Sequence, residues 1–448
     1  MLDNHYAIWL GDDNNRCLPV IDQQALYMIL AEVHFRVSST MGDGPKAKTI
    51  LDMEQLQVAD YSSFEGVSEI QRTQIREFHA REPVRPEEMI YLALRSLIQF
   101  VWPEPQSHDE LRYAAAHDFV LDEILVRKAV ELAPGFSTPE GLLPYWGRLA
   151  FLKVMSRLPN ANVDRFGLGG VACALVKDAQ FNAKTWAFRD GSVITMNYAL
   201  EPILKHFNRF ILHYHDTQPH AGPRRLARAW SGIVPTVLHF WAKVSATRLT
   251  RSSAILHDEN TAATVQWLTN DQIEFIAMHE LGHVALDHAD RLKAARSSGA
   301  DVRELRHEFE FGADAFALEL LRSRLIGSSE DPKSGTDVGP TPIKDWRTDY
   351  TNYQHGIGAM YLLFTYMDFV QRAGELLGSR LAAHIPINQQ SHSHPGARSR
   401  LDRLELMHLG EHLYTSPLLR YASGFLQDIL NYASGLDDDS LLATVESD

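Results

Sequence analysis

The chain is 448 residues long, more than one ordinary domain needs, and its 45% hydrophobic and 22% charged content is that of a globular protein and not of a disordered one. A formal net charge of −14 excludes a general binder of nucleic acid or of acidic membranes, since either requires a basic face; the one basic cluster, Arg224, Arg225 and Arg228, reads as a solvated helix face. Two cysteines, Cys17 and Cys173, exclude a disulfide framework and a cysteine-based metal site, and they fit a reducing compartment.

The first residues, Met1-Leu-Asp-Asn-His5, contain no basic segment leading into an apolar stretch, so no signal peptide is expected. No run of about eighteen apolar residues exists for a membrane span. The expected location is therefore cytoplasmic. Residues 1–150 read as a mostly helical region. Apolar residues recur at helical spacing over Ile21–Phe35, Glu87–Trp102 and Asp109–Leu132, the last ending just before Pro134-Gly135. This region carries no constellation of reactive groups, and its expected role is scaffolding, substrate recognition or contact with a regulatory partner.

Residues 151–326 are expected to form the catalytic core. Three short apolar runs, Gly169–Val176, Asn182–Phe188 and Ser192–Asn197, read as strands, and Arg189-Asp190-Gly191 between the last two signals a hairpin. Gly167-Leu-Gly-Gly170 lacks the ending of a phosphate loop and reads as a turn into a strand. After a helical stretch, Ala199–Leu249, Asp271 with Glu274 predicts a capping box opening a new helix. That helix is apolar almost all round from Ile273 to Leu286, as a buried helix would be. Another helix is expected over Val302–Leu325. Residues 327–350 have the composition of a linker, helices resume at about Thr351, and the acidic segment after Asp437 is expected to be solvated.

The chemistry concentrates on two of these helices. His279-Glu280-Leu-Gly-His283 places two imidazoles at i and i+4, on one helix face, where both can reach one metal ion. Zinc suits nitrogen and oxygen donors, and a catalytic site keeps one position open for water. Glu280 beside that water is placed to take its proton. A third ligand is expected from Glu310-Phe-Gly-Ala-Asp314: Glu310 would ligate, and Asp314, four residues on, would receive the outer N–H of a ligating histidine. Glu308 is the rival ligand, on a different face from Asp314. A metzincin pattern needs a histidine at position 289, which is alanine, and His288 reads as a supporting or surface group.

Taken together, His279-Glu-Leu-Gly-His283, Glu310-Phe-Gly-Ala-Asp314, the later His394-Pro395 with Arg400, and a strand from Gly191 before the first motif resemble gluzincin metallopeptidases of the HtpX and CAAX prenyl-protease type. The matches are short and spread over roughly residues 165–405. The resemblance implies that His394 faces the substrate and assists the tetrahedral intermediate, against the plainer possibility of a loop histidine. It also implies that the strand carrying Ile194 and Met196 is an exposed sheet edge on which a peptide can lie, with Arg400 in the substrate region or holding its loop. Those families are commonly membrane embedded; here the site chemistry carries over and the membrane substrates do not.

The expected fold is α+β and predominantly helical, a zincin-like catalytic domain with a small sheet beside the His279–His283 helix. The expected function is a zinc-dependent endopeptidase, one zinc per chain, acting on cytoplasmic proteins or peptides. Two alternatives stand beside it: a narrow-target protease of stress or phage exclusion, similar in idea to the Lit protease, and a regulatory module in which zinc is structural and nothing turns over.

Overall fold

A computed structural model describes residues 23–51, 68–71, 73, 74, 77, 86–103, 106–132, 154, 160–176, 182–197, 199–217, 222–242, 256, 258–326, 346–385, 395–408 and 417–446. Within these the chain is mainly helical with two small sheets. The N-terminal part contributes α1 (Gln23–Met41), β1 (Lys48–Leu51), α2 (Pro86–Leu97), β2 (Ile98–Val101) and α3 (His108–Leu132). The stretch expected as one helix to Trp102 instead ends at Leu97, and Ile98–Val101 pairs antiparallel with β1. Both strands are four residues long, too short for periodicity to separate from a helix end.

The next segment gives α4 (Asn160–Arg165), a turn of 3-10 helix at Leu168–Gly170, β3 (Val171–Val176), β4 (Ala183–Phe188) and β5 (Gly191–Asn197). The hairpin is where the Asp-Gly signal puts it: Ala183 pairs with Met196 and Phe188 with Gly191. Gly191 has a φ of 133°, a conformation open to glycine and strained for other residues. Gln71 secures this corner by donating to the carbonyls of Gly170 (3.0 Å) and Ser192 (3.1 Å). The strand order is β3-β5-β4, with β3 parallel and β4 antiparallel to β5. This corrects the expectation for Ile194 and Met196. Their strand is the middle one, paired on both sides, and both side chains are wholly buried, so no peptide can add there.

Helices build the rest: α5 (Leu200–Thr217), α6 (Pro223–Ala242), α7 (Glu259–Ala285), α8 (His288–Ser297), α9 (Arg303–Ile326), α10 (Trp346–Leu381), α11 (Ala397–His408), α12 (Pro417–Ser434) and α13 (Asp438–Glu446). The predicted start at Asp271 is overturned. α7 begins twelve residues earlier, where Asp258 caps it by accepting from the Thr261 N–H at 2.7 Å. Ala262, Val265 and Leu268 are buried like Ile273 and Phe275, so the apolar pattern runs through Asp271 without a break. Helix also begins at Trp346, ahead of the expected Thr351. The acidic end is not merely solvated: Asp437 accepts from the Ser440 N–H at 2.7 Å, and α13 buries Leu441. Among the described residues no helix is long and apolar enough to cross a membrane.

The buried apolar side chains form one contiguous cluster from Leu26 on α1 to Leu441 on α13. α7 lies inside it, among α5, α9, α10 and β4. From Gln272 to Gly282 α7 is buried nearly all round, so no solvent face sets its rotation there, and buried polar contacts do so. Asn208 on α5 donates to Thr269 Oγ1 (3.0 Å) and Gln272 Oε1 (2.8 Å) of α7, while the Tyr366 hydroxyl of α10 donates to Asn208 Oδ1 (2.9 Å). On the far side of α5, Arg209 reaches Asp118 of α3 at 2.7 Å, and Arg95 of α2 reaches Asp122 at 3.1 Å. The N-terminal helices are thereby tied through α5 to α7.

Replacing Asn208 with alanine orphans the Tyr366 hydroxyl and the Gln272 carbonyl inside the core. At about 1–3 kcal/mol for each orphaned buried group, Asn208→Ala should lose at least about 2 kcal/mol of unfolding free energy. Chemical denaturation measures it, and a loss below about 0.5 kcal/mol, the level of ordinary surface substitutions, would show that the network does not hold α7.

Candidate metal centre

His279 and His283 sit one turn apart near the C-terminal end of α7, and Glu310 and Asp314 one turn apart on α9. The two helices meet at Gly282. A Cβ there would stand 3.0 Å from Ala313 Cα and 3.2 Å from its carbonyl oxygen, so only a residue without a side chain lets the α9 backbone come this near. Close approach brings the donors together: His279 Nε2 to His283 Nε2 is 3.1 Å, His279 Nε2 to Glu310 Oε2 is 3.5 Å, and His283 Nε2 to Glu310 Oε1 is 3.6 Å. The three side chains are positioned to bind a metal ion, with one ligand atom from each within 4.8 Å of the others. Glu308, the rival, is exposed and outside this group.

Behind His279 lies a buried relay of charge. Asp314 Oδ1 is 2.9 Å from His279 Nδ1 and accepts a hydrogen bond from its N–H. Arg400, on α11, donates to the same carboxylate through Nε (2.8 Å to Oδ2) and Nη2 (2.6 Å to Oδ1). Its Nη1 is 3.5 Å from Glu310 Oε2, and its guanidinium lies over the Phe364 ring at 5.0 Å. This corrects the expectation that Arg400 meets substrate: a buried guanidinium with a bidentate carboxylate partner is already committed. His394 lies outside the described residues; Pro395, next to it, is buried at the head of α11.

The electrostatics follow from burial and these partners. Burial would raise Asp314, but the Arg400 guanidinium outweighs it and holds the carboxyl below the usual range. For His279, burial disfavours the charged ring, the Asp314 carboxylate more than offsets that, and the imidazole is pushed up to about 9. Burial and the neighbouring His279 push His283 down to about 3. Glu280 lies beside the donor group, with its Oε2 against the Thr185 hydroxyl of β4. Burial raises its carboxyl, and the Thr185 hydroxyl, 2.7 Å from Oε2 and 2.9 Å from the Glu280 carbonyl oxygen, opposes the shift.

One member of the site escaped the sequence, and a second was read with its supporting role left open. Thr185 is one threonine in a strand, and nothing local marks it as a neighbour of a residue 95 positions away. His288, read as a supporting or surface group, is buried with Nδ1 2.9 Å from His283 Nδ1; its five-residue spacing offered no helical argument. Comparison of the chain with protein-family models, curated proteins and solved structures yields no significant match.

Gly282→Ala should force α7 and α9 apart, because the obstructing atoms are backbone and cannot rotate away. The expected loss is about 1–3 kcal/mol of stability, the usual cost of overpacking, together with weakened uptake of a metal ion, for which zinc serves as the probe. Thermal unfolding with and without added zinc reads both effects. Wild-type stability and wild-type stabilisation by zinc in this variant would contradict the role given to the close approach.

Proposed function

We propose that this chain is a zinc-dependent peptidase of gluzincin type, with His279, His283 and Glu310 as the ligands and Glu280 as the general base. The single observation that carries this is the meeting of two imidazole nitrogens and one carboxylate at mutual distances of 3.1–3.6 Å. Ligands about 2.0–2.2 Å from one tetrahedral cation stand roughly 3.3–3.6 Å apart, so the donor set fits zinc in chemistry and in spacing. A structural site is closed by four protein ligands; among the described residues the group has three members, which favours catalysis over the regulatory-module reading.

A bound zinc ion would polarise a scissile carbonyl and make a water molecule acidic near neutral pH. The chain's own groups do the rest. The Nδ1–H of His279, held by Asp314, turns its Nε2 toward the cation. Thr185 occupies Oε2 of Glu280 and leaves Oε1 to take the proton of the attacking water. Burial raises the Glu280 carboxyl, which suits a group that must accept a proton and then return it to the leaving amine. Among the described residues β4 is the outer strand on the α7 side, and its Thr185 touches Glu280. A peptide lying in line with this site therefore belongs along β4, where a sheet edge offers N–H and C=O groups for an added strand.

Glu280→Gln should retain zinc and fold while cleavage falls by at least about a hundredfold, the ordinary contribution of a general base. New protein N-termini in cells expressing wild type or Glu280→Gln reveal substrates, and metal analysis of both proteins checks retention. Identical N-termini from the two would sink the peptidase assignment.

A further inference from the structure

His279 and His283 need the same thing from their surroundings, a partner for the nitrogen that does not face the cation, and only one of them finds a carboxylate. His283 Nε2 is the atom turned to His279 Nε2 and Glu310 Oε1. Its Nδ1 points the opposite way, to His288 Nδ1 at 2.9 Å. Two ring nitrogens at that distance share one proton, since two lone pairs or two N–H groups facing each other would repel. A metal-binding His283 must keep a lone pair on Nε2, so its own proton sits on Nδ1.

We propose that His288 is a positioning residue that accepts the Nδ1–H of His283 on its own Nδ1 and thereby aims His283 Nε2 at the cation. This rests on the assignment of His279, His283 and Glu310 as ligands. His288 carries its proton on Nε2 and stays neutral, so the two ligands are held by unlike partners: an anionic carboxylate behind His279 and a neutral ring behind His283.

The backbone between the two histidines is shaped for this contact. α7 ends at Ala285, the Leu286 N–H still reaches the Gly282 carbonyl (3.0 Å), and Asp287 takes a φ of 53°. Asp287 is the single described residue other than glycine in the left-handed region, where a side chain is unfavourable although aspartate tolerates it better than most. That reversal starts α8 back against α7 and returns His288 to His283, five residues earlier. The His288 ring then stacks on Phe309 of α9, with centroids 4.2 Å apart and planes within 9°, and the Arg291 guanidinium lies over the same Phe309 at 4.7 Å. Opposite its Nε2 edge α9 carries Gly312, where a Cβ would stand 3.5 Å from that nitrogen. The ring is thus fixed in plane and direction by α9, the helix that also supplies Glu310.

An imidazole that only fills space would be replaced by any flat ring. His288→Phe keeps the stack on Phe309 and removes the acceptor, whereas His288→Asn loses the ring and places a carbonyl oxygen close to where Nδ1 stood. Zinc affinity, measured by competition with a chromophoric chelator, should fall by about ten- to a hundredfold in His288→Phe, the usual effect of losing a ligand's outer partner, and should largely recover in His288→Asn. Wild-type affinity in a folded His288→Phe protein overturns the proposal, as does an equal loss in both variants. Histidine-selective ¹⁵N NMR of the zinc-loaded wild type needs no substitution: the expected pattern is a protonated Nδ1 on His283 and a protonated Nε2 on His288, and a proton on His288 Nδ1 overturns it. Failure of the wild type to take up zinc at all would overturn the ligand assignment itself, a result distinct from any difference between His288 variants.

Discussion

Asp314 is almost fully buried, and the candidate metal centre is arranged about the charge it carries. A lone carboxylate in such a place would take up a proton. The bidentate guanidinium of Arg400 keeps it ionised, and it can then accept the Nδ1–H of His279. One interaction therefore fixes three things together: the orientation of a ligand, the placement of α11 against α9, and the local charge balance beside Glu310. Buried pairs of this kind add little net stability compared with apolar packing, yet removing one partner is severe because the other is left charged and unpaired.

The scaffold matches this demand for rigidity. The C-terminal half of α7 is enclosed by other elements and its rotation is set by Asn208, so the two histidines have little freedom to swing away from α9. Gly282 sets the distance between the helices, and Thr185 ties Glu280 to β4. A metal site on helices held by buried contacts is more exact than one on loops. The groups that support the site come from four places in the chain: Asp314 on α9, Arg400 on α11, His288 at the start of α8 and Thr185 on β4. Such a site is assembled only when the whole core is.

What the sequence made legible was what depends on local geometry. An i, i+4 pair shares a helix face wherever the helix lies, so His279 with His283 and Glu310 with Asp314 could be paired from spacing alone. The Asp190-Gly191 turn is equally local. What stayed hidden depends on neighbours far along the chain. Whether the strand bearing Ile194 and Met196 is an edge or the middle of a sheet is decided by β3 lying on its other side. Arg400 has a long side chain whose direction follows from how α11 packs on α9. Asp271 mimicked a helix start because aspartate followed by glutamate at three residues is a capping signal anywhere, and tertiary burial carried the helix through it.

In the proposed site one cation is held by His279, His283 and Glu310, with His279 turned by Asp314. Calorimetric titration of the metal-stripped protein with zinc at pH 7.5, in buffers of differing ionisation enthalpy, tests it most directly. Burial disfavours the charged ring of both histidines, but Asp314 pushes His279 up to about 9 while His283 is pushed down to about 3; proton release on binding is therefore expected to come from His279. Saturation at one equivalent is expected, with proton release at pH 7.5 that fades as pH rises through 9, and loss of the binding in Glu310→Ala. Absence of saturable binding, or equal uptake by Glu310→Ala, would contradict it.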